Sequence, residues 1–180
     1  MTPLDCQQCR LAQTRRNVVP GVGTGQSGLL IVGLGPGYSE DLVGAPFVGP
    51  AGRLLDRILA SLSLEREEVY ITNLVKCKPE NNRPRPDEIE ACSAWLAEEL
   101  EELAGKATVA ILLGQFAAGI AFPGLTMHAA NGLFTVKGDL VWTATYHPAA
   151  VLRGQPALYP EILRTFARAT ALATSTNSES

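Results

Sequence analysis

The stretch that decides the fold runs from Leu29 to Leu59: LLIVGLGPGYSEDLVGAPFVGPAGRLLDRIL. It opens on a short apolar run, Leu29 to Val32, bounded by glycines. Such a run reads as a strand buried on both faces. Gly33-Leu34-Gly35-Pro36-Gly37 follows, too rich in Gly and Pro for regular structure. Its glycines permit positive φ and let a ligand approach the backbone closely. Glu40 and Asp41 come next, then the aromatic of Pro46-Phe47-Val48-Gly49. From Ala51 to Leu62, the residues Leu54, Leu55, Ile58, Leu59 and Leu62 fall on one face of a helix. A strand, a glycine loop carrying acids, then a helix is how an α/β protein builds a site at the carboxyl end of a strand. The same pattern also serves where a loop only turns the chain. It is not GxGxxG in phase and has no GK[ST], so it supports neither a dinucleotide fingerprint nor a P-loop.

Outward from that stretch, the chain has 180 residues, 46% hydrophobic and 18% charged, with a net charge of -3. That is one domain, able to bury about two-thirds of its unfolded surface. No global positive field advertises nucleic acid, so any DNA contact must come from a local basic patch. No apolar run reaches the roughly 18 residues of a membrane span, and Met1 to Arg10 has no signal-peptide core. The expectation is a cytoplasmic protein, where cysteines serve as metal ligands or free thiols.

Val69 to Val75 reads as a second strand, Thr108 to Leu113 as a third, and Asp139 to Trp142, continuing to Thr145, as a fourth. Leu133 to Lys137 pairs with the last across Gly138. Helices are expected from Pro86 to about Leu103, from Gln115 to Ala121 and from about Leu158 to Leu172. The acidic end of the first of these, Glu98 to Glu102, reads as a solvated face. Residues 1–174 form one domain and 175–180 a polar, disordered tail. Strands alternating with helices give an α/β sandwich around a mostly parallel sheet, expected to have four strands. Four loops then share one sheet edge: Gly33 to Phe47, Asn73 with its basic neighbours, Gly114-Gln115, and His147-Pro148.

Cys6, Cys9, Cys77 and Cys92 are all the cysteines present. Cys6 and Cys9 form a C-x₂-C pair, which lets two ligands reach one metal from a tight turn. Four thiolates suit zinc or an iron–sulfur cluster, and the Cys77–Cys92 spacing is not that of a zinc ribbon. The alternative, that two or more are small buried hydrophobes, is disfavoured by the C-x₂-C pair.

In order along the chain stand Cys6-x₂-Cys9-x-Leu11, Gly33-x-x-Pro36-Gly37 with Glu40-Asp41, and Gly44-x-Pro46-Phe47-Val48-Gly49-x-Ala51-Gly52. Val69-Tyr70-Ile71-Thr72-Asn73-x-Val75-Lys76-Cys77, Cys92 and Tyr146-His147-Pro148-Ala149 follow. On these pieces, from Cys6 to Arg153, the chain resembles the family 4, iron–sulfur uracil-DNA glycosylases. The resemblance implies a three-layer α/β/α fold and a structural 4Fe–4S cluster on Cys6, Cys9, Cys77 and Cys92. It also implies hydrolysis of the bond between uracil and deoxyribose in DNA, with single- and double-stranded substrates both left open. Nothing in the sequence suggests an obligate oligomer, so a monomer is expected.

The chemistry of that reaction assigns expected roles. A base inside a duplex must be flipped into a pocket. Phe47 supplies a flat face for it, or else is a core residue. Asn73, an amide that both donates and accepts, can read uracil's O4 and N3–H. His147 can stabilise charge developing on O2. Glu40, with Asp41 in reserve, can position water and stabilise a cationic sugar. Gly33, Leu34 and Gly35 approach the base. Lys76, Lys78, Arg83, Arg85 and Arg153 are candidates for the DNA backbone. Leu152, in the segment that the resemblance places in the minor groove, is an apolar wedge for the gap left by the base. His128 is left as structural.

The first loop departs from the family's GEAPG: Leu34 stands where a carboxylate is usual. No basic, His-containing insertion is present, so covalent trapping through such a loop is not expected. Two other readings compete: a glycosylase for another deaminated base, such as hypoxanthine or xanthine, and a DNA-binding homologue with catalysis weakened by Leu34.

Overall fold

The computed structural model describes residues 4–177, with the side chains described to residue 175. Five strands form one sheet: β1 (Leu29–Gly33), β2 (Tyr70–Asn73), β3 (Val109–Leu113), β4 (Phe134–Lys137) and β5 (Leu140–Thr145). Their order is β2-β1-β3-β5-β4. Four run parallel and β4 returns antiparallel on β5 at the far edge. The expected four-stranded sheet is therefore extended by β4, whose turn at Gly138 has a φ of 63°. The α-helices among the described residues are α1 (Tyr38–Val43), α2 (Pro50–Ser61), α3 (Pro86–Glu102), α4 (Gln115–Ala118), α5 (Met127–Ala130), α6 (Pro148–Leu152) and α7 (Tyr159–Asn177).

Strands with apolar residues at every position need cover on both faces, and they have it. Leu29 and Ile31 of β1 and Val109, Ile111 and Leu113 of β3 pack with Leu55 and Ile58 of α2 and with Ile162 and Phe166 of α7. Leu30, Val32, Ala110 and Leu112 face the other way, onto Ala117, Phe122 and the partly buried Leu96 and Leu100 of α3. A three-layer α/β/α sandwich results. α2 has the strong amphipathic stripe that the sequence shows, with Pro50 at its first turn.

Three expectations need correction. The loop between Gly37 and Gly44 contains a short helix, α1, that ends at Gly44 with a φ of 82°. The last helix does not stop at Leu172: it runs on through Asn177, so residues 175–177 are helical. The remainder of the expected tail lies outside the described residues. Finally, Glu99 is not on a solvated face. It is 3% exposed and binds the ammonium of Lys76 at 2.7 Å.

The sheet order places the site. The chain goes from β1 outward to β2, then returns to the opposite side of β1 for β3. At such a reversal the loops leaving neighbouring strands diverge, and a crevice opens at their carboxyl ends. No described helix is long and apolar enough to cross a membrane.

Candidate active site

The crevice is a cleft of about 650 Å³. All four expected loops line it: Leu34, Gly35 and Glu40 after β1, Asn73 and Lys78 after β2, Gly114 and Gln115 after β3, and His147 after β5. Its inner wall is aromatic. Phe47 and His147 stack with ring centroids 5.7 Å apart and planes 22° from parallel. Phe47 is 6% exposed and packs into the core beside α2 while also lining the cleft.

That placement carries local strain. Phe47 has a φ of 52°, a region that costs a non-glycine residue about 1 kcal/mol or more. Arg66 holds the strained turn, donating through Nη2 to the carbonyls of Pro46 (2.7 Å) and Phe47 (3.1 Å) while Nη1 pairs with Asp56. Two glycines make room. A Cβ on Gly52 would overlap the Phe47 carbonyl, and one on Gly33 would overlap Asn73 Oδ1 and sit 2.7 Å from Phe47 Cζ. Gly33 is thus buried beneath the site, where it lets the aromatic and the amide approach each other.

Asn73 ends β2, opposite Gly33 in the register. It is 2% exposed, and its Nδ2 has no partner. A buried amide donor left unmade costs free energy, so this group suits an acceptor brought in by a ligand. Glu40 is held in place by backbone N–H groups from two sides. Val48 (2.9 Å) and Gly49 (2.8 Å) donate to Oε1, and Gly37 (3.1 Å) donates to Oε2.

His147 caps α6, its Nδ1 accepting the Ala149 N–H at 3.1 Å. Desolvation pushes the imidazole pKa down to about 4, Arg153 pushes the same way, and Glu40 opposes them. The ring is therefore neutral at pH 7. Since Nδ1 accepts, the proton sits on Nε2, which is left as a donor.

Two expected site residues lie elsewhere. The Asp41 carboxylate faces away from the cleft and accepts the backbone N–H groups of Arg16 (2.9 Å) and Asn17 (3.3 Å). It ties the N-terminal arm to α1 and cannot stand in for Glu40. Lys76 is 1% exposed and buried against Glu99, out of reach of a phosphate. Of the other basic residues, Lys78 and Arg153 line the cleft. Arg83 lies over the Phe116 ring at 5.7 Å, and Arg85 is exposed with Glu80 at 3.8 Å. Leu152 is 48% exposed at the end of α6. His128 lies outside the cleft, 3.2 Å from the Tyr146 hydroxyl.

The sequence reading missed Tyr38, Asn81, Asn82 and Phe116, which also line the cleft. Asn81-Asn82 between Pro79 and Pro84 is a turn signal, and both adopt positive φ. For Tyr38 and Phe116 no local signal separates a rim aromatic from a core one.

A second cavity lies behind β2. Cys6, Cys9, Cys77 and Cys92 all line it, with Arg15 and Trp95. Arg15 Nη1 and Trp95 Nε1 are buried there without partners, and the Lys76 N–H donates to Cys92 Sγ at 3.3 Å. Burial pushes the Cys77 thiol up to about 12; Arg15 opposes this and the neighbouring cysteines add to it. Burial likewise raises Cys92. Among the described residues no three His, Cys, Asp or Glu side chains converge closely enough for a single metal ion. The donor set nevertheless suits an electron-rich, thiolate-bound group: four thiols line one small cavity, one N–H donates to sulfur, and two further buried N–H groups on residues of its wall have no partner.

Cleft and fold together define an α/β protein with an aromatic slot, a buried amide and a fixed carboxylate at a topological switch point. The profile of the "Uracil DNA glycosylase superfamily" matches residues 20–169, and the chain belongs to that superfamily. The chain is 44% identical over 160 residues to the Type-4 uracil-DNA glycosylase of Archaeoglobus fulgidus, covering 83% of this chain and 79% of that one. It is 40% identical over 163 residues to the Type-4 enzyme of Saccharolobus solfataricus (84% and 74% covered). Against the Type-4 enzyme of Pyrobaculum aerophilum it is 42% identical over 174 residues (91% and 87% covered).

Proposed function

We propose that this protein is a monofunctional uracil-DNA glycosylase of base-excision repair, acting on a uracil flipped out of DNA. One observation carries the reading: an aromatic slot, an unpartnered buried amide, a neutral histidine donor and a fixed carboxylate meet in one cleft. The names and coverage of the Type-4 relatives point the same way.

In this reading the uracil ring stacks on Phe47. Asn73 Nδ2 donates to O4 and its Oδ1 accepts N3–H. The two atoms together reject cytosine, whose edge reverses both partners. The bond between N1 and C1′ then breaks, and its electron pair moves onto the uracil ring and O2. The Nε2–H of His147 donates to that developing oxyanion. A neutral donor suffices, because it is pre-aimed in a site that needs no reorganisation. Glu40 faces the sugar, where its charge stabilises the cationic character at C1′ and orients a water. The water oxygen bonds to C1′, and its proton leaves through Glu40 or solvent.

Lys78, Arg83, Arg85 and Arg153 lie on or near the rim as contacts for phosphates, and Leu152 is the exposed wedge. Leu34 presents an apolar wall to the base in place of a carboxylate.

Cys6, Cys9, Cys77 and Cys92 are the residues that would hold a 4Fe–4S cluster. Their common cavity, its orphaned N–H donors and the names of the Type-4 relatives support this reading. Held there, a cluster would supply structure and no hydrolytic chemistry, with Cys6 and Cys9 on the N-terminal arm, Cys77 on the segment after β2 and Cys92 on α3. Free thiols suit the reducing cytoplasm. The protein acts as a monomer.

The test is excision from a labelled oligonucleotide carrying one uracil, opposite G, opposite A, and single-stranded. Alkali-labile cleavage at the uracil, lost in Glu40→Ala and His147→Ala, supports the reading. No cleavage by protein with full iron and sulfide content rejects it and leaves a DNA-binding homologue. Absorption near roughly 400 nm separates the cluster from zinc.

A further inference from the structure

Among the described residues the most deeply buried charge is not in the cleft but directly behind it. Lys76 lies between Asn73 and Cys77 in sequence and is 1% exposed. An ammonium has three N–H bonds, and each finds an acceptor: Thr72 Oγ1 at 2.6 Å, the Asn73 carbonyl at 2.8 Å and Glu99 Oε2 at 2.7 Å. Glu99 in turn accepts from the Thr72 hydroxyl (2.7 Å) and, on Oε1, from the Gly21 N–H (2.9 Å). The node links β2, α3 and the N-terminal arm.

β2 is the edge strand next to β1, and it ends at Asn73. The Asn73 carbonyl receives its hydrogen bond from Lys76 rather than from another strand. Past Asn73 the backbone turns over β1, with Leu74 N donating to Gly33 O (3.0 Å) and Val75 N to Leu34 O (3.1 Å). The residue whose side chain must face the base therefore stands where regular pairing stops. A residue there keeps its orientation only if something else holds its peptide. The same Lys76 donates its own N–H to Cys92 Sγ and accepts Val19 N–H at 2.7 Å.

We propose that Lys76, neutralised by Glu99, is a positioning residue that fixes the Asn73 peptide and so sets the aim of its amide, with the thiol-lined cavity as its anchor. Buried ion pairs are poor stabilisers because desolvation consumes their attraction. This pair earns its place by geometry: three short bonds from one point, one of them to the base-reading residue. The inference rests on the uracil-reading role of Asn73 given above. Wild-type excision of uracil is therefore measured first, and its absence rejects that role rather than this one.

The test is Lys76→Met with Glu99→Leu, which removes both charges together and leaves no unpaired ion in the core. The variant is expected to stay folded, with a melting temperature lowered by the Gly21 N–H and Asn73 carbonyl left unpaired, and to keep its thiolate–iron absorption and its affinity for uracil-free duplex. Its kcat for uracil excision is expected to fall by roughly ten- to a hundredfold, as misplacement of a positioning group does. Adding Asn73→Ala is expected to cost little more than Asn73→Ala alone, because both changes remove one function. Thr72→Val, which deletes only the bridging hydroxyl, serves if the double variant does not fold. It is expected to show a smaller loss, again non-additive with Asn73→Ala. Unchanged excision in the variant that folds, losses that multiply with Asn73→Ala, or a loss that only tracks the cluster's absorption would overturn the proposal.

Discussion

Two polar regions lie back to back across β2, and they are built by opposite rules. Behind the strand, the Lys76–Glu99 node is fully satisfied: every ammonium proton has an acceptor, and both carboxylate oxygens have donors. In front of it, the cleft holds an amide with an idle donor and an aromatic on a strained backbone. A buried donor left idle beside a cavity suits a ligand that completes it, whereas the saturated node completes itself. The thiol-lined cavity obeys the first rule too, with Arg15 and Trp95 idle at its wall.

The comparison can be broken at several points. The largest effect is expected in the cleft, where the proposed mechanism has each fixed group act on the transition state. His147→Ala is expected to lower kcat by roughly 10²–10³, as loss of one pre-aimed donor does. Single-turnover excision with the protein at saturating concentration measures it. A loss confined to KM would take His147 out of that role.

Gly33→Ala comes next. Its methyl would drive Asn73 and Phe47 apart, so uracil excision is expected to fall by roughly tenfold or more while the fold persists. Full activity in Gly33→Ala would show that the amide and the ring need not approach so closely. Arg66→Met removes the donors that hold Phe47 at positive φ. It is expected to destabilise the protein by about 1–2 kcal/mol in denaturant unfolding, with activity falling more than Asp56→Asn lowers it.

The next effect is on pH. The folded His147 takes up its proton only near pH 4, whereas an unfolded imidazole does so near 6.5. The unfolded chain therefore binds more protons in that window, and stability is expected to fall as the pH drops from 6.5 toward 4. NMR titration of the imidazole checks this directly. A midpoint near 6.5 would mean a charged ring in a wetter site.

The smallest effect separates two lysines only two positions apart. Lys78 lines the cleft and Lys76 is buried. Lys78→Ala is expected to weaken DNA binding modestly and reduce the salt slope by about one. The Lys76→Met, Glu99→Leu variant is expected to leave that slope alone. Equal slopes for the wild type and Lys78→Ala would remove Lys78 from the phosphate contacts.

Much of the architecture was legible in the chain itself. Leu29 to Val32 and Val109 to Leu113 are apolar at every position, which demands a sheet covered on both faces. The glycine loop after the first strand, and Asn73 and His147 after the second and last parallel strands, pointed to one edge, because in parallel sheets all strand ends of one kind lie together. What local pattern could not decide was the fate of charged residues. Asp41 sits beside Glu40 and Lys76 beside Cys77, yet one acid lines the cleft and the other bonds the arm at Arg16. Lys76 is buried by a partner 23 residues away on α3. Side-chain type states what a residue can do, and backbone periodicity states which face it takes. Whether a charge meets solvent or a counter-ion depends on which distant segment packs against it, and that is settled only when the whole chain has folded.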